Sequence, residues 1–151
     1  MPPWRAASLA ALAMTAACAA RPQAGTGFGQ ATIGDDAAAA RSVAQAFLEL
    51  EAQGDSSADS LLAPGADFLM TGVRVVSRPR VAGVNGPGQA FVEEASTGAA
   101  GAIAWVVFGY RFTARTPALN ERARGTFILE KQRAGWRIRH VHTSMVERWE
   151  R

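Results

Sequence analysis

The sequence predicts an α+β domain in which helices cover one side of a curved antiparallel sheet and enclose a pocket. Three observations carry this. Residues 36–53 repeat apolar side chains at intervals of three and four, as one buried helix face requires. Residues 102–115, 122–132 and 136–149 are long runs rich in β-branched and aromatic residues. The connections between those runs, "TPALNE" and "RAG", are short enough to force antiparallel neighbours. At 151 residues, with no apolar span of about twenty, the chain has room for one small core.

The helix over 36–53 presents Ala40, Val43, Ala44, Phe47 and Leu50 as its stripe. Asp35 is placed to accept from its first amides, Asp36 suits the positive end of its dipole, and Gly54 supplies a left-handed stop. A short second helix is expected in "SADSLLAPG", with Ser57 as cap and Pro64-Gly65 as stop. "ADFLMTGVRVVSRP" reads as a weak hairpin around Gly72, and "NGPGQAFVEEAS" as a third helix with Pro87 in its first turn, running through Ala95. The three-strand meander follows. No internal repeat is present.

The first residues have the layout of a bacterial secretory signal: Arg5, then the uncharged apolar run "AASLAALAMTAA" over 6–17, then Cys18. Residues 1–17 are therefore expected to be a signal peptide. Cys18 is the only cysteine, which excludes an intrachain disulfide, and its place after Ala16-Ala17 resembles the lipobox of bacterial lipoproteins, with Thr15 where that pattern has Leu. Three outcomes stay open: lipidation of Cys18 and anchoring in the cell envelope, cleavage near Ala17-Cys18-Ala19 and release into the periplasm, or an uncleaved helix. Residues 18–34, rich in Gly and Ala without period, form the tether, and the folded domain is expected over 35–148.

Charge argues against nucleic acid. Without residues 1–17 there are 15 basic and 13 acidic residues, a balance of +2. Arg74, Arg78, Arg80, Arg122, Arg124, Arg137 and Arg139 alternate with apolar residues along strands as solvated faces do, and form no clustered basic surface.

A stretch "DSLLAPGADF" over 59–68, then "RGTFILEK" and "GWRIRHVHTS", resembles the SnoaL-like branch of the nuclear transport factor 2-like superfamily. The closing run is also similar to the final strand of the association domain of calcium/calmodulin-dependent protein kinases. The resemblance covers residues 35–148. It implies a cone of curved sheet around a pocket and a homodimer formed through the sheet's outer face. It leaves activity open, because that superfamily includes isomerases, cyclases, epoxide hydrolases, ligand carriers and assembly modules.

The two histidines of the chain, His140 and His142, lie in the last strand. Alternation puts Trp136, Ile138, His140, His142 and Ser144 on one face and Arg137, Arg139, Val141, Thr143 and Met145 on the other. Two arginines make the second face the outer one, so the imidazoles are expected to look inward. Loop lengths then place Lys131 opposite Trp136, Phe127 opposite His140, Gly125 opposite His142, Tyr110 beside Phe127 and Phe112 beside Gly125. The expected inner wall is Phe108, Tyr110, Phe112, Phe127, Leu129, Ile138, His140 and His142, with Gly125 leaving room over His142.

Such a wall is how a small-molecule pocket is built. The ligand-binding candidates are Tyr110, Phe112, Phe127, His140, His142 and Ser144, and the candidates for acid/base chemistry are His140, His142 and Asp67. Metal is not expected. The H-x-H pair sets two imidazoles about 6.5 to 7 Å apart at the backbone, but no third histidine exists and Glu147 falls on the opposite face. No other cofactor is expected. Neither the Tyr and Asp pair of related isomerases nor the Asp-Arg-Asp relay of related epoxide hydrolases has a recognisable counterpart. The leading expectation is an exported binder of a small organic ligand, the alternatives being a SnoaL-like enzyme on a polyketide- or steroid-like substrate and an assembly module. His140, His142, Ser144 and Tyr110 serving only to satisfy one another and buried backbone is the plain structural alternative.

Overall fold

The structure is a computed structural model and describes residues 34–114 and 118–146. Helix α1 spans Asp35–Gln53 and a 3-10 helix spans Ser56–Leu61. Six strands follow: β1 (Leu62–Met70), β2 (Val73–Arg74), β3 (Gln89–Ala100), β4 (Ile103–Ala114), β5 (Leu119–Gln132) and β6 (Gly135–Met145). They form one sheet in the order β2-β1-β6-β5-β4-β3, and α1 packs on one side of it.

α1 ends as its sequence requires, with Gly54 in the left-handed region at φ 74° and its amide turned back to the Glu51 and Leu50 carbonyls. Its start differs from expectation. Gly34 is the capping position, without a side-chain cap, and Asp35 lies inside the first turn. Ala40, Ala44, Phe47 and Leu48 are fully buried, with Val43 and Leu50 packed at their margin. In the 3-10 helix the cap is Asp55, two residues before the expected Ser57, whose amide donates to the Asp55 carboxylate at 2.8 Å.

Two further expectations are corrected. The helix expected over "NGPGQAFVEEAS" is the first half of β3, paired antiparallel with β4 from Gln89↔Thr113 to Ala100↔Ile103. Tertiary pairing overrides local preference there, with a one-residue bulge at Glu93 in the ladder. The sheet is also mixed, because β1 runs parallel to β6 (Asp67↔His140 to Met70↔Thr143) and antiparallel to β2. The β1–β2 turn is the hairpin expected around Gly72, with Thr71 and Gly72 both at positive φ (50° and 79°), as a two-residue hairpin turn demands.

Register decides which residues face α1. On β4–β5 the partner of Tyr110 is Ala123, four residues from the Phe127 expected, and Phe127 pairs with Val106. A shift by an even number leaves every side chain on its face, so Phe108, Tyr110, Phe112, Phe127, Leu129 and Ile138 are all inward and buried. On β5–β6, Lys131↔Trp136 is as expected, but between Leu129↔Ile138 and Ile128↔His140 the ladder gains one residue, Arg139. That bulge reverses the alternation. Beyond it Val141 and Thr143 point inward, buried to 0% and 1% exposure, while His142 is exposed and His140 half-buried on the other face.

Candidate functional site

The interior that α1 and the sheet enclose is occupied by the protein's own aromatic side chains. Phe47 of α1 stacks on Phe68 of β1 at 6.0 Å and meets Phe127 edge-on at 6.4 Å, and Phe127 packs on Phe108 at 5.5 Å. Phe47, Phe108, Phe112 and Phe127 are fully buried. The segment between β2 and β3 closes the structure, burying Val81, Ala82 and Val84. Ala82 is held at both backbone groups: its amide donates to Thr143 Oγ1 at 2.8 Å and its carbonyl accepts from the Tyr110 hydroxyl at 2.8 Å. Burial pushes the Tyr110 phenol well above the ordinary tyrosine range, against a smaller opposite pull from the Thr143 hydroxyl.

Each site residue expected from sequence can now be placed. Tyr110, Phe112 and Phe127 are on the inner face, but as packed core. Space over Gly125 is taken: the residue opposite is Thr143, and a Cβ at Gly125 would lie 2.9 Å from Thr143 Cγ2 and 3.0 Å from a Phe127 ring carbon. His140, His142 and Ser144 share a face, as the alternation required, but it is the outer one, together with Arg137 and Arg139. The one-residue bulge at Arg139 is the physical reason. Cys18 and Glu147 lie outside the described residues.

Asp67 does reach an imidazole. Its Oδ2 lies 3.5 Å from His140 Nδ1, across the parallel β1–β6 pairing, and its Oδ1 accepts from Arg74 Nε at 2.8 Å. The pair stands on the outer face with both side chains about one-third exposed (32% and 38%). Among the described residues no group of three or more His, Cys, Asp or Glu could hold a metal ion.

Around the histidines the outer face is laid out in cross-strand rows. His142 stands between Leu69 and Thr126, with Val107 beyond; His140 stands between Asp67 and Ile128, with Trp105 beyond. Trp105 is 43% exposed and lies flat over Gly98, where a Cβ would come within 2.1 Å of its ring, so only glycine lets it lie there. Ile103 beside it is 48% exposed. Charges on this face are paired among themselves. Glu93 holds Arg111 and Arg122 at 3.1 Å each, and Glu94 holds Arg124 at 2.8 Å. An open groove of about 380 Å³ runs past Glu93, Glu94, Arg122, Arg124 and Val146 at one end of the face.

A charged cluster went unread in the sequence. Glu51, on the apolar face of α1, is 2% exposed, and Arg80, taken from sequence as a solvated strand residue, is 8% exposed. Arg80 pairs with Glu51 through Nη2 and Nε, reaches Asp59 through Nη1 at 2.8 Å, and lies over the Phe47 and Phe68 rings at 5.4 and 4.9 Å. Burial alone would lower the Arg80 pKa, but the two carboxylates more than offset it and the guanidinium is held charged. Arg78 also binds Asp59, at 2.9 Å, and holds its carboxyl below the usual carboxylate range. Glu51, Arg80 and Asp59 thus form a carboxylate–guanidinium–carboxylate chain. Here it ties the 3-10 helix to the end of α1 and caps the aromatic core. The signal for it was one carboxylate in an apolar stripe, Glu51 four residues after Phe47.

A cone of curved sheet closed by one helix is the nuclear transport factor 2-like architecture, and comparison with known proteins agrees. Residues 39–147 match the SnoaL-like domain family, to which this chain belongs. Solved structures similar to it include a ketosteroid isomerase-like protein from Erwinia carotovora atroseptica SCRI1043, 16% identical with a TM-score of 0.57, covering 76% of this chain and 99% of that one. The CaMKII hub of S. rosetta is 20% identical with a TM-score of 0.57, covering 75% and 98%. A nuclear transport factor 2-like superfamily protein from Salmonella enterica serovar Typhimurium LT2 is 18% identical with a TM-score of 0.57, covering 74% and 90%. At these identities the likeness is one of fold. No curated protein matches the chain.

Proposed function

We propose that this chain is a SnoaL-like assembly domain in which two copies pair through the outer face of the sheet. The observation that carries the reading is the contrast between the sides of the sheet. The interior that a ligand carrier would keep open is filled by Phe47, Phe108 and Phe127, whereas Trp105, Ile103 and Ile128 form an apolar strip on the outside. Around that strip Glu93 and Glu94 already have guanidinium partners, so a second copy of the same face buries no unpaired carboxylate at those positions. We place the domain in the cell envelope, tethered by residues 18–34 to a lipidated Cys18. This rests on the signal layout of residues 1–18.

Light scattering coupled to size exclusion tests the pairing. The domain beginning at residue 35 should run at twice its monomer mass and Ile128→Glu at the monomer mass, while a parent that stays monomeric at hundreds of micromolar contradicts it. Intact mass of membrane-extracted full-length protein tests the anchor, with a diacylglyceryl addition on Cys18 as the expected result.

A second reading, binding of a small organic ligand, is supported by the 380 Å³ groove, whose arginines would meet a carboxylate. Small hydrophobic acids that raise the melting temperature of the parent and leave that of Arg124→Ala unchanged would favour it.

A further inference from the structure

We infer that the assembly face is a pH-sensitive one, with His142 as the group that weakens pairing on acidification. This rests on the pairing proposed above and names its regulation. His142 and His140 lie beside the apolar strip, so a copy docked there would cover them. Neutral imidazoles tolerate that cover, whereas imidazolium has to be stripped of water and needs a carboxylate in return.

The two histidines differ in what faces them. His140 has Asp67 at 3.5 Å from β1, so its charged form is partly compensated even though Arg74 of β2 shares that carboxylate. His142 has none. Across from it stand Leu69 of β1 and Thr126 of β5, with His140 and Ser144 along its own strand. Among the described residues, other charges around this face are engaged: Arg124 with Glu94 of β3, Arg139 with Glu130 at 3.9 Å, and Arg137 on the Trp136 carbonyl. Protonation of His142 therefore adds uncompensated positive charge to each copy, and the closed dimer holds two such charges.

The sign and size follow from linkage. A proton that separated copies accept at His142 and the docked face excludes makes acid favour separation. Two imidazoles per dimer that must stay neutral raise the dissociation constant by about 100-fold for each pH unit over which both take up protons.

Sedimentation equilibrium of the protein at pH 7.5 and 5.5 tests this, with tryptophan fluorescence confirming that the fold is intact at both. The expected result is a parent dimer that loosens about 100-fold, a His142→Gln variant that stays dimeric with little pH dependence, and a His140→Gln variant that keeps most of it. A parent dimer of equal strength at both pH values overturns the switch and leaves the pairing standing. A His142→Gln dimer that still loosens on acidification overturns the role of His142. A parent monomeric at both pH values overturns the pairing and the switch together.

Discussion

The two hairpins of the meander differ in regularity: β4 and β5 pair without interruption from Ile103↔Glu130 to Ala114↔Leu119, whereas β5 and β6 carry a one-residue bulge at Arg139. Between β4 and β5 the true register lies four residues from the one loop length implies, and Phe108, Tyr110 and Phe112 nevertheless face the core as expected. Between β5 and β6 the turn is placed correctly, Lys131 facing Trp136, and a single extra residue at Arg139 then sends both imidazoles to the opposite side. Side-chain direction depends on the parity of the register and not on its size. The bulge converts a strand that reads as a pocket wall into one whose inner positions are Val141 and Thr143 and whose outer positions carry the imidazoles.

Several substitutions sharpen the contrast between the sides of that strand. Phe127→Ala, which empties the centre of the aromatic cluster, should cost about 3 to 5 kcal/mol in urea unfolding. Glu51→Gln leaves Arg80 buried with half its partners and should cost about 3 kcal/mol by the same measurement. Tyr110→Phe removes one hydrogen bond to Ala82 and should cost about 1 kcal/mol. On the outer face, His142→Gln and Ser144→Ala should leave the unfolding free energy of the monomer within about 0.5 kcal/mol of the parent.

Titration separates the same regions. Tyr110 is the only tyrosine, and its folded pKa is raised. A raised pKa contributes stability below the unfolded value, near 10, that is lost as pH climbs towards the folded one. Tyrosinate absorbance should therefore appear only as the chain unfolds, and phenolate forming in intact protein near pH 10 would contradict the burial. The Asp59 pKa is lowered. Its stabilisation is present above the unfolded carboxylate value, near 4, and fades as pH falls below it. Asp59→Asn should flatten the acid limb of the stability profile slightly, since the carboxylate is largely exposed.

Much of the fold was legible because it rests on patterns with a period. α1 showed in the spacing of Ala40, Ala44 and Phe47, and β4, β5 and β6 showed in runs carrying β-branched and aromatic residues joined by short connections. The β3 error had a local cause. Asn85, Pro87 and the two glutamates carry helix-start chemistry, and only pairing with β4 reveals a strand. The site was less legible for a reason of the same kind. A bulge leaves no composition signal when the inserted residue is an arginine among arginines, so nothing in "WRIRHVHTS" announces where alternation restarts. Arg80 was hidden likewise, since burial of a guanidinium depends on Glu51 arriving from 29 positions away.

The bulge at Arg139 is the feature on which the reading of both faces depends, and nuclear Overhauser contacts of the imidazole ring protons test it most directly. The ring of His142 should contact the methyl groups of Thr126 and Leu69, with the Val141 methyls contacting the Phe127 ring. Contacts from either imidazole to the rings of Phe127 and Phe108 would return the histidines to the interior and remove the basis for an assembly face controlled by them.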